Sequence, residues 1–502
     1  MVPAPRRPGW AEPPSTLGAV SATASVALVV PIYNMAEHLA ECLASIEAQT
    51  VFEEMQVVLV DDGSTDAGPG IAAAFAGRHA NVVLLREPNR GPGAARNRGL
   101  REVTAPFVGF CDSDDRLPPD AVATLRGIAL EHDADVAVGA LETFPARRSW
   151  PWFEHLDADS RLVPGIEHAP GLVHSAGPCD KLFRTEVIRR MQLSFAEGTH
   201  FEDAYVSVPA LLAADRIAVT RKVVYHYRLR RGSIMRSLWD RPANFWDHLA
   251  LQEFLAGLRP RLPEARRPVL DLFSVRGFQG FAMRAPGVLD RGALRSWYDR
   301  CRRVFGAVAP EVVTLACVGT RHRLAFLAFL ADDWELFADR RTSITGLDVV
   351  DGVLHLRLRE APPERLRPLL RVDRTHVLLE SLDVRDGGAT LRLRGRLAAD
   401  GLMMDGPPSC EVDVEVRGCG PARPARLARR AWPGDPTNPT TDDWTDFCAD
   451  LPADALASGL RPVRLVTRTG GGAVDLAVRP ATGALRAARP LAVGRHRVLV
   501  LR

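Results

Sequence analysis

A chain of 502 residues, 46% hydrophobic and 25% charged, has an ordinary globular composition and is too long for one core, so roughly three domains are expected. A formal net charge of +3 makes no electrostatic case for nucleic acid, and the near-exclusive use of arginine (Lys181 and Lys222 are the sole lysines) reads as codon bias in a GC-rich genome. The 8 cysteines are scattered, with Cys410 and Cys419 the nearest pair, which argues against a zinc cluster and for reduced thiols of a cytosolic protein.

Residues 1–24 are rich in Pro, Ala, Ser and Thr and read as a disordered tail, because they lack the apolar stretch of a signal peptide. From residue 26 short β-branched runs alternate with helical segments. Strands are expected at Val26–Val30, Gln56–Val60, Val82–Arg86, Phe107–Cys111 and Val136–Gly139. The helix Met35–Gln49 places Leu39, Leu43 and Ile46 on one face, with Asn34 as N-cap and Glu37 completing a capping-box arrangement. Further helices fill 70–79, 93–103 and 119–132. Such alternation predicts an α/β, Rossmann-like domain with a mostly parallel sheet covered on both faces, whose ligands lie beyond the carboxyl ends of the strands.

Residues 243–342 read as helical, with Trp246, Trp297 and Trp334 as packing residues. Beyond 343, alternating runs such as Leu354–Leu358, Leu391–Arg394 and Glu411–Val416 are separated by turn signals at Asp351-Gly352, Asp386-Gly387-Gly388 and Gly470-Gly471-Gly472. They predict an antiparallel, β-sandwich-like C-terminal domain. The arginine-rich stretch Arg423–Arg430 is taken as a solvated loop. No uninterrupted apolar run reaches the roughly 18 residues needed to span a membrane, so a cytoplasmic location is expected. The domain map is therefore a tail at 1–24, an α/β domain at 25–242, a helical segment at 243–342 and a β-rich domain at 343–502.

Four constellations fall at predicted strand ends: Pro31-Ile32-Tyr33-Asn34, Asp61-Asp62-Gly63-Ser64-Thr65-Asp66, Asn89-Arg90-Gly91-Pro92-Gly93-Ala94-Ala95-Arg96-Asn97, and Asp112-Ser113-Asp114-Asp115. Two carboxylates one residue apart suit a hard cation such as Mg²⁺ or Mn²⁺. Gly91 and Gly93 allow close backbone approach, and Arg96 suits a phosphate or a base. Taken singly each run is equally good turn or capping chemistry. Their order along the chain favours the functional reading.

In that order, VVPIYN, VDDGSTD, NRGPGAARNRG and FCDSDD resemble the signatures of family 2 glycosyltransferases of the GT-A fold, over residues 25–140. The resemblance implies that Pro31 and Tyr33 flank the nucleobase and that Asp62 or Asp61 bonds it. It implies that Asn89 and Arg96 complete the base and ribose pocket, that Asp112 lies near ribose and metal, and that Asp114 of this DXD motif ligates the metal, Mn²⁺ or Mg²⁺. The pair Glu202-Asp203, opening an apolar helix, resembles the family's base site: Asp203 would deprotonate the acceptor hydroxyl and Glu202 would orient it. The stretch around Lys181 resembles an acceptor-side segment of bacterial polymer glycosyltransferases. The run from Tyr225 through Arg228, Arg231 and Ser233 resembles a loop that closes on the donor, where those three would hold diphosphate oxygens.

The resulting expectation is an inverting, metal-dependent transfer from a nucleotide sugar, preferably a UDP-sugar, to a hydroxyl of a cell-surface glycan, a polyol-phosphate polymer or a lipid-linked acceptor. A sugar nucleotidyltransferase is the enzymatic alternative, disfavoured by Pro31-Ile32-Tyr33-Asn34 where a glycine-rich loop belongs. A polymer-binding protein on a decayed transferase scaffold is the non-catalytic one, disfavoured by intact Asp112, Asp114 and Asp203. The β-rich domain is open to binding glycan, to homo-oligomerisation or to bracing the helical segment. Peripheral association with the inner face of the plasma membrane is compatible with the sequence.

Overall fold

The computed structural model describes residues 24–145, 160–229, 239, 241–317, 319–339, 343–350 and 353–372, and beyond these only the strands named below. The expected tail at 1–24 therefore lies outside the described residues, save Ala24, as do Arg231 and Ser233. The chain divides into two compact units, Met1–Ser274 and Val275–Arg502.

The first unit runs β1 (Val26–Ile32), α1 (Ala36–Glu47), β2 (Met55–Asp61), α2 (Gly68–Ala76), β3 (Val82–Arg86), α3 (Pro92–Leu100), β4 (Phe107–Phe110), α4 (Ala121–Glu131), β5 (Val136–Phe144), β6 (Ser160–Val163), β7 (Lys181–Arg184), α5 (Thr185–Arg190), α6 (Ala204–Ala213), β8 (Ile217–Arg228) and α7 (Pro242–Leu258). Its strands form one sheet in the order β3-β2-β1-β4-β7-β5-β8-β6. The pairs β3–β2, β2–β1, β1–β4 and β5–β8 are parallel; β7 runs antiparallel to both neighbours, and β6 is an antiparallel edge. The mostly parallel α/β expectation holds, with a reversed strand in the middle.

The core follows from the two-residue period of a strand. From β1, Ala27 and Val29 enter the cluster on one face, while Val26, Leu28 and Val30 enter the other with Leu39, Leu43 and Ile46 of α1. A strand buried on both sides must be apolar at every position, which is why the sequence shows it as a continuous run.

One capping expectation fails. The N-cap of α1 is Met35, without a side-chain bond. Asn34 takes a positive φ of 50°, and its Oδ1 accepts the Thr65 N–H at 2.8 Å. The first turn of α1 is capped instead from the next loop, where Asp66 Oδ2 accepts the Ala36 N–H at 2.8 Å. An ionised acceptor near the helix N-terminus satisfies the same orphan donor and complements the helix dipole, whichever part of the chain supplies it.

Small residues let α3 lie close on the sheet. A Cβ on Gly99 would stand 2.4 Å from Val29 Cγ1, which fixes the helix depth over β1 and β2.

The helix α8 (Arg267–Val288) contains the boundary between the units; α9 (Arg291–Phe305), α10 (Pro310–Ala316), α11 (Thr320–Ala331) and α12 (Trp334–Ala338) follow. Trp297 is fully buried, stacked on Phe278 at 5.1 Å and on Phe337 at 6.0 Å, as expected of a packing residue. After a ribbon of β9 (Ile344–Val350) and β10 (Val353–Leu358) comes a second sheet of β11 (Thr375–Arg385), β12 (Thr390–Ala399), β13 (Val412–Val416), β14 (Arg423–Arg429), β15 (Thr445–Pro452), β16 (Val463–Thr467), β17 (Ala473–Asp475) and β18 (Val478–Pro480); β19 (Pro490–Val493) and β20 (His496–Leu499) form a final ribbon. Its pairings are antiparallel apart from β11–β18. Arg423–Arg429 of the arginine-rich stretch form β14 rather than a loop, because their backbone is paired on both sides, by β13 and β15.

Replacing Gly99 by Ala forces a methyl group into the Val29 side chain. A loss of about 1–3 kcal/mol is expected from this overpacking. Urea unfolding should show it as a lower midpoint at unchanged slope.

Candidate active site

The loops leaving β1, β2, β3 and β4 meet at the carboxyl edge of the parallel strands. Pro31 is buried in β1, whereas Tyr33 just beyond it is 45% exposed. Asp61 and Asp62 are both buried. Asp61 Oδ1 accepts the Ser64 N–H at 3.1 Å, and its Oδ2 lies 3.5 Å from Arg86 Nε. Asp62 clasps the following loop, since its two oxygens accept the N–H groups of Arg90 at 2.9 Å and Gly91 at 2.8 Å. Burial pushes its carboxyl up, against the pull of those two N–H groups. Between the loops, Gly63 takes φ +74°, where a Cβ would strike the Asn89 nitrogen at 2.8 Å; only glycine fits there. Asn89 is exposed and Gly91 half-buried, and nothing stands within 4 Å of the place where a Gly91 Cβ would be.

The carboxylate turn after β4 is braced from β8. Asp112 and Asp114 are half-buried, while Ser113 and Asp115 are buried. The Tyr225 hydroxyl accepts the Asp112 N–H at 3.1 Å and donates to Asp115 Oδ2 at 2.6 Å. Arg228 donates its own N–H to Asp115 Oδ1 at 2.6 Å and its Nε to the Asp114 carbonyl at 2.6 Å. Its Nη2 reaches Glu41 Oε2 at 2.6 Å, and its guanidinium lies 4.4 Å from the Phe144 ring centre. Burial, with the charges of Asp112 and Asp114, pushes Asp115 up to about 8. Arg228 thus braces the turn that carries Asp114.

Asp112 and Asp114 offer the hard oxygen donors a divalent cation prefers. Among the described residues no group of three or more His, Cys, Asp or Glu is gathered to hold a metal ion, and Asp112 Oδ1 is engaged by Arg96 Nη2 at 2.7 Å. These carboxylates suit a cation that takes its remaining ligands from a phosphate and water.

The third part is the loop before α6. The Asn97 amide clasps it, donating to the Phe195 carbonyl at 2.9 Å and accepting the Phe195 N–H at 2.8 Å. Gly93 lets α3 approach the loop, since a Cβ there would stand 2.1 Å from the Ala196 carbonyl oxygen. From the other side, Asp247 of α7 bonds Thr199 and His200, and His248 sets its ring edge-on to Phe201 at 4.6 Å.

Thus held, Glu202 and Asp203 face Arg96. The Arg96 Nη1 lies 3.0 Å from Glu202 Oε1 and 2.9 Å from Asp203 Oδ1. Asp203 occupies the N-cap position of α6 but makes no side-chain capping bond, so helix capping is not what its carboxylate does. Its side chain is 34% exposed, while Oδ1 is sealed from solvent. Burial pushes its carboxyl up to about 7; Arg96 pulls against this, the charges of Glu202 and Asp112 add to it, and Lys181 opposes them.

Lys181 is directed inward. Its ammonium donates to Asp180 Oδ1 at 2.5 Å, Gly177 O at 2.7 Å and Ser175 Oγ at 2.8 Å, which uses all three donors. The structure therefore gathers Asp112, Asp114, Arg96, Glu202, Asp203 and Arg228 at one end of the sheet and leaves the Lys181 ammonium enclosed in its own turn. Reading the sequence missed Asp115, Tyr225 and Asn97 as framework. Asp115 and Asn97 sit inside the quoted runs, but nothing local distinguishes a carboxylate or amide that bonds the protein from one that bonds a ligand.

The sequence profile of glycosyl transferase family 2 matches residues 27–190. The glycosyltransferase GlyA of Streptococcus pneumoniae is 31% identical over 234 residues, 44% of this chain and 32% of GlyA. The glycosyltransferase GlyG of the same organism is 30% identical over 227 residues, 43% of this chain and 74% of GlyG. The poly(ribitol-phosphate) beta-N-acetylglucosaminyltransferase TarS of Staphylococcus aureus is 26% identical over 350 residues, 67% of this chain and 59% of TarS. The chain spans between 32% and 65% of the length of the first three curated relatives it matches. The crystal structure of TarS residues 1–349 with UDP-GlcNAc superposes with a TM-score of 0.56 at 24% identity, covering 68% of this chain and 98% of that one. At that identity the likeness establishes the fold.

Removing the Tyr225 hydroxyl with Tyr225→Phe leaves the Asp112 N–H and the buried Asp115 carboxyl each short of a partner. Thermal or urea unfolding should show a loss of about 1–3 kcal/mol.

Proposed function

The chain belongs to glycosyl transferase family 2, and on that premise we propose that it moves a sugar, with inversion, from a nucleoside diphosphate sugar to a hydroxyl of a cell-wall or surface polymer. The observation that carries this reading is Asp203: a carboxyl with one sealed oxygen, pushed up to about 7 and joined through Arg96 to the carboxylate turn at Asp112. A base is most effective when its pKa lies near the working pH, and positioned proton transfer contributes roughly 10²–10⁴ in rate.

In this reading Tyr33 and Pro31 flank the nucleobase, Asp61, Asp62 and Asn89 shape its pocket, and Asp112 lines the ribose side with Arg96 buried behind it. Asp62 serves it through the backbone it holds, with Arg90 and Gly91 presented to the cleft. Asp112 and Asp114 would hold Mn²⁺ or Mg²⁺ together with the diphosphate. When bound, such an ion neutralises charge on the departing diphosphate. Arg228, with Arg231 and Ser233 beyond it, supplies donors to the same oxygens. Asp203 takes the proton of the acceptor hydroxyl, whose oxygen bonds the anomeric carbon from the face opposite the diphosphate. The bond to the diphosphate breaks and that group leaves with the electron pair. Glu202 orients the acceptor, and Lys181 acts through the turn it fastens.

A polyol-phosphate polymer is the preferred acceptor class and a UDP-sugar the preferred donor. TarS, crystallised with UDP-GlcNAc and named for a poly(ribitol-phosphate) acceptor, supports both choices. The transfer chemistry is placed on residues 25–242, with the helical segment 243–342 and the sandwich-like β-rich part 343–502 as accessory regions.

Turnover of a nucleotide-sugar panel with Mn²⁺, Mg²⁺ or EDTA tests the reading. Asp114→Asn should lose metal-dependent donor binding. Asp203→Asn should bind donor yet lose about 10²–10⁴ in turnover. An Asp203 that keeps wild-type turnover as asparagine would refute the base assignment. The ionised form of Asp203 is the active one and its carboxyl titrates near 7, so kcat should rise with pH through about 7 and level off above it. Loss of that rise at lower pH is the signature to seek in the pH profile.

A further inference from the structure

Arg96 is 3% exposed, yet it meets three acidic side chains from two other parts of the chain. Its Nη2 donates to Asp112 Oδ1 at 2.7 Å and its Nη1 to Glu202 Oε1 at 3.0 Å, while Asp203 Oδ1 lies 2.9 Å from the same Nη1 as an ion pair without a hydrogen bond. The guanidinium carbon lies 5.3 Å from the Phe195 ring centre, and Phe195 belongs to the segment that Asn97 clasps. The side chain is therefore fixed at its plane and at both forks, while its helix is fixed by Gly93 and Gly99.

We infer that Arg96 is the positioning residue of the base: one buried guanidinium ties Asp203 and Glu202, on the acceptor side, to Asp112, on the nucleotide side, and holds Asp203 aimed and ionisable. The inference rests on the reading of Asp203 as the base. Charged and titratable groups face Asp203 from every element around it: Arg96 from α3, Glu202 beside it, Asp112 after β4, Lys181 of β7 and Cys179 before β7. Two of these are carboxylates that repel a charge on Asp203. Lys181 is the other cation, and its donors are spent on Ser175, Gly177 and Asp180. Without Arg96, three carboxylates would crowd one another with only Lys181, already paired with Asp180, as a nearby cation, and Asp203 would hold its proton to higher pH. A lysine would retain the charge but lacks the planar fork that serves two sides at once.

The test is a carboxyl ¹³C titration of the full chain labelled at aspartate Cγ, without added divalent cation, with the Asp203 signal assigned by its loss in Asp203→Asn. Arg96→Met should raise the Asp203 midpoint by more than about one pH unit, and Glu202→Gln, which removes a repelling charge, should lower it. Arg96→Lys should restore most of the midpoint while kcat stays about tenfold low, because the fork is lost. UDP affinity should change about threefold or less in Arg96→Met, since a positioning residue acts on kcat more than on binding. A midpoint in Arg96→Met within about 0.3 unit of wild type, together with a large loss of UDP affinity, would overturn the inference and make Arg96 a donor ligand. Should Arg96→Met fail to fold, Glu202→Gln decides, and an unmoved midpoint there overturns it equally. Failure of the base assignment itself appears separately, as wild-type turnover in Asp203→Asn.

Discussion

Arg96 carries its positive charge to a place almost closed to water, and the site is built around that fact. A buried cation is tolerable only when its lost hydration is replaced by close, well-aimed anions. Here the anions are Asp112, Glu202 and Asp203, the residues to which the proposed function assigns the chemistry. The cluster therefore couples stability to geometry: neither the turn after β4 nor the loop before α6 can drift without uncovering charge. The close approach this requires is set by small residues on α3, which seats Gly99 on Val29 and Gly93 on Ala196.

Around this centre the polar groups of the cleft are largely satisfied by the protein. Asp62 bonds backbone N–H groups, Asp66 caps α1, and Asp115 is held by Tyr225 and Arg228. Such bonds make irregular loops behave as rigid parts, because a buried unpaired donor or acceptor costs more than most local rearrangements regain. Preorganised loops keep donors and charges in place while the reaction proceeds, where electrostatic stabilisation is most effective. Burial, with repulsion from neighbouring carboxylates, pushes Asp203 up to about 7 and Asp115 up to about 8.

The strands that build the site were the most readable part of the chain. β1, β2, β3 and β4 appear as short apolar runs because both faces of a parallel sheet are covered, and α1 shows its buried face at Leu39, Leu43 and Ile46. The four motifs at their carboxyl ends were legible as a set, since strand-to-helix turns of this kind combine glycine, asparagine and aspartate in few ways. The reversed strand β7 was not read as a strand. It is four residues long, with Lys181 and Arg184 at its ends, and its pairing is decided by β4 and β5 rather than by any local period.

The sequence by itself determined the α/β class of the first unit, the order of its first strands and the residue types available for nucleotide, cation and proton chemistry, because these depend on local patterns of burial and turn formation. Tertiary structure alone decided what each polar side chain does. Asn34 reads as an N-cap, yet Asp66, 30 positions beyond Ala36, supplies the bond to α1. Arg96 reads as a pocket residue, yet it meets Asp112 across 16 positions and Glu202 across 106. Hydrophobic periodicity is set by neighbours along the chain. The partner of a buried charge is set by whichever oppositely charged group the folded backbone brings within about 3 Å, and no local pattern encodes that distance.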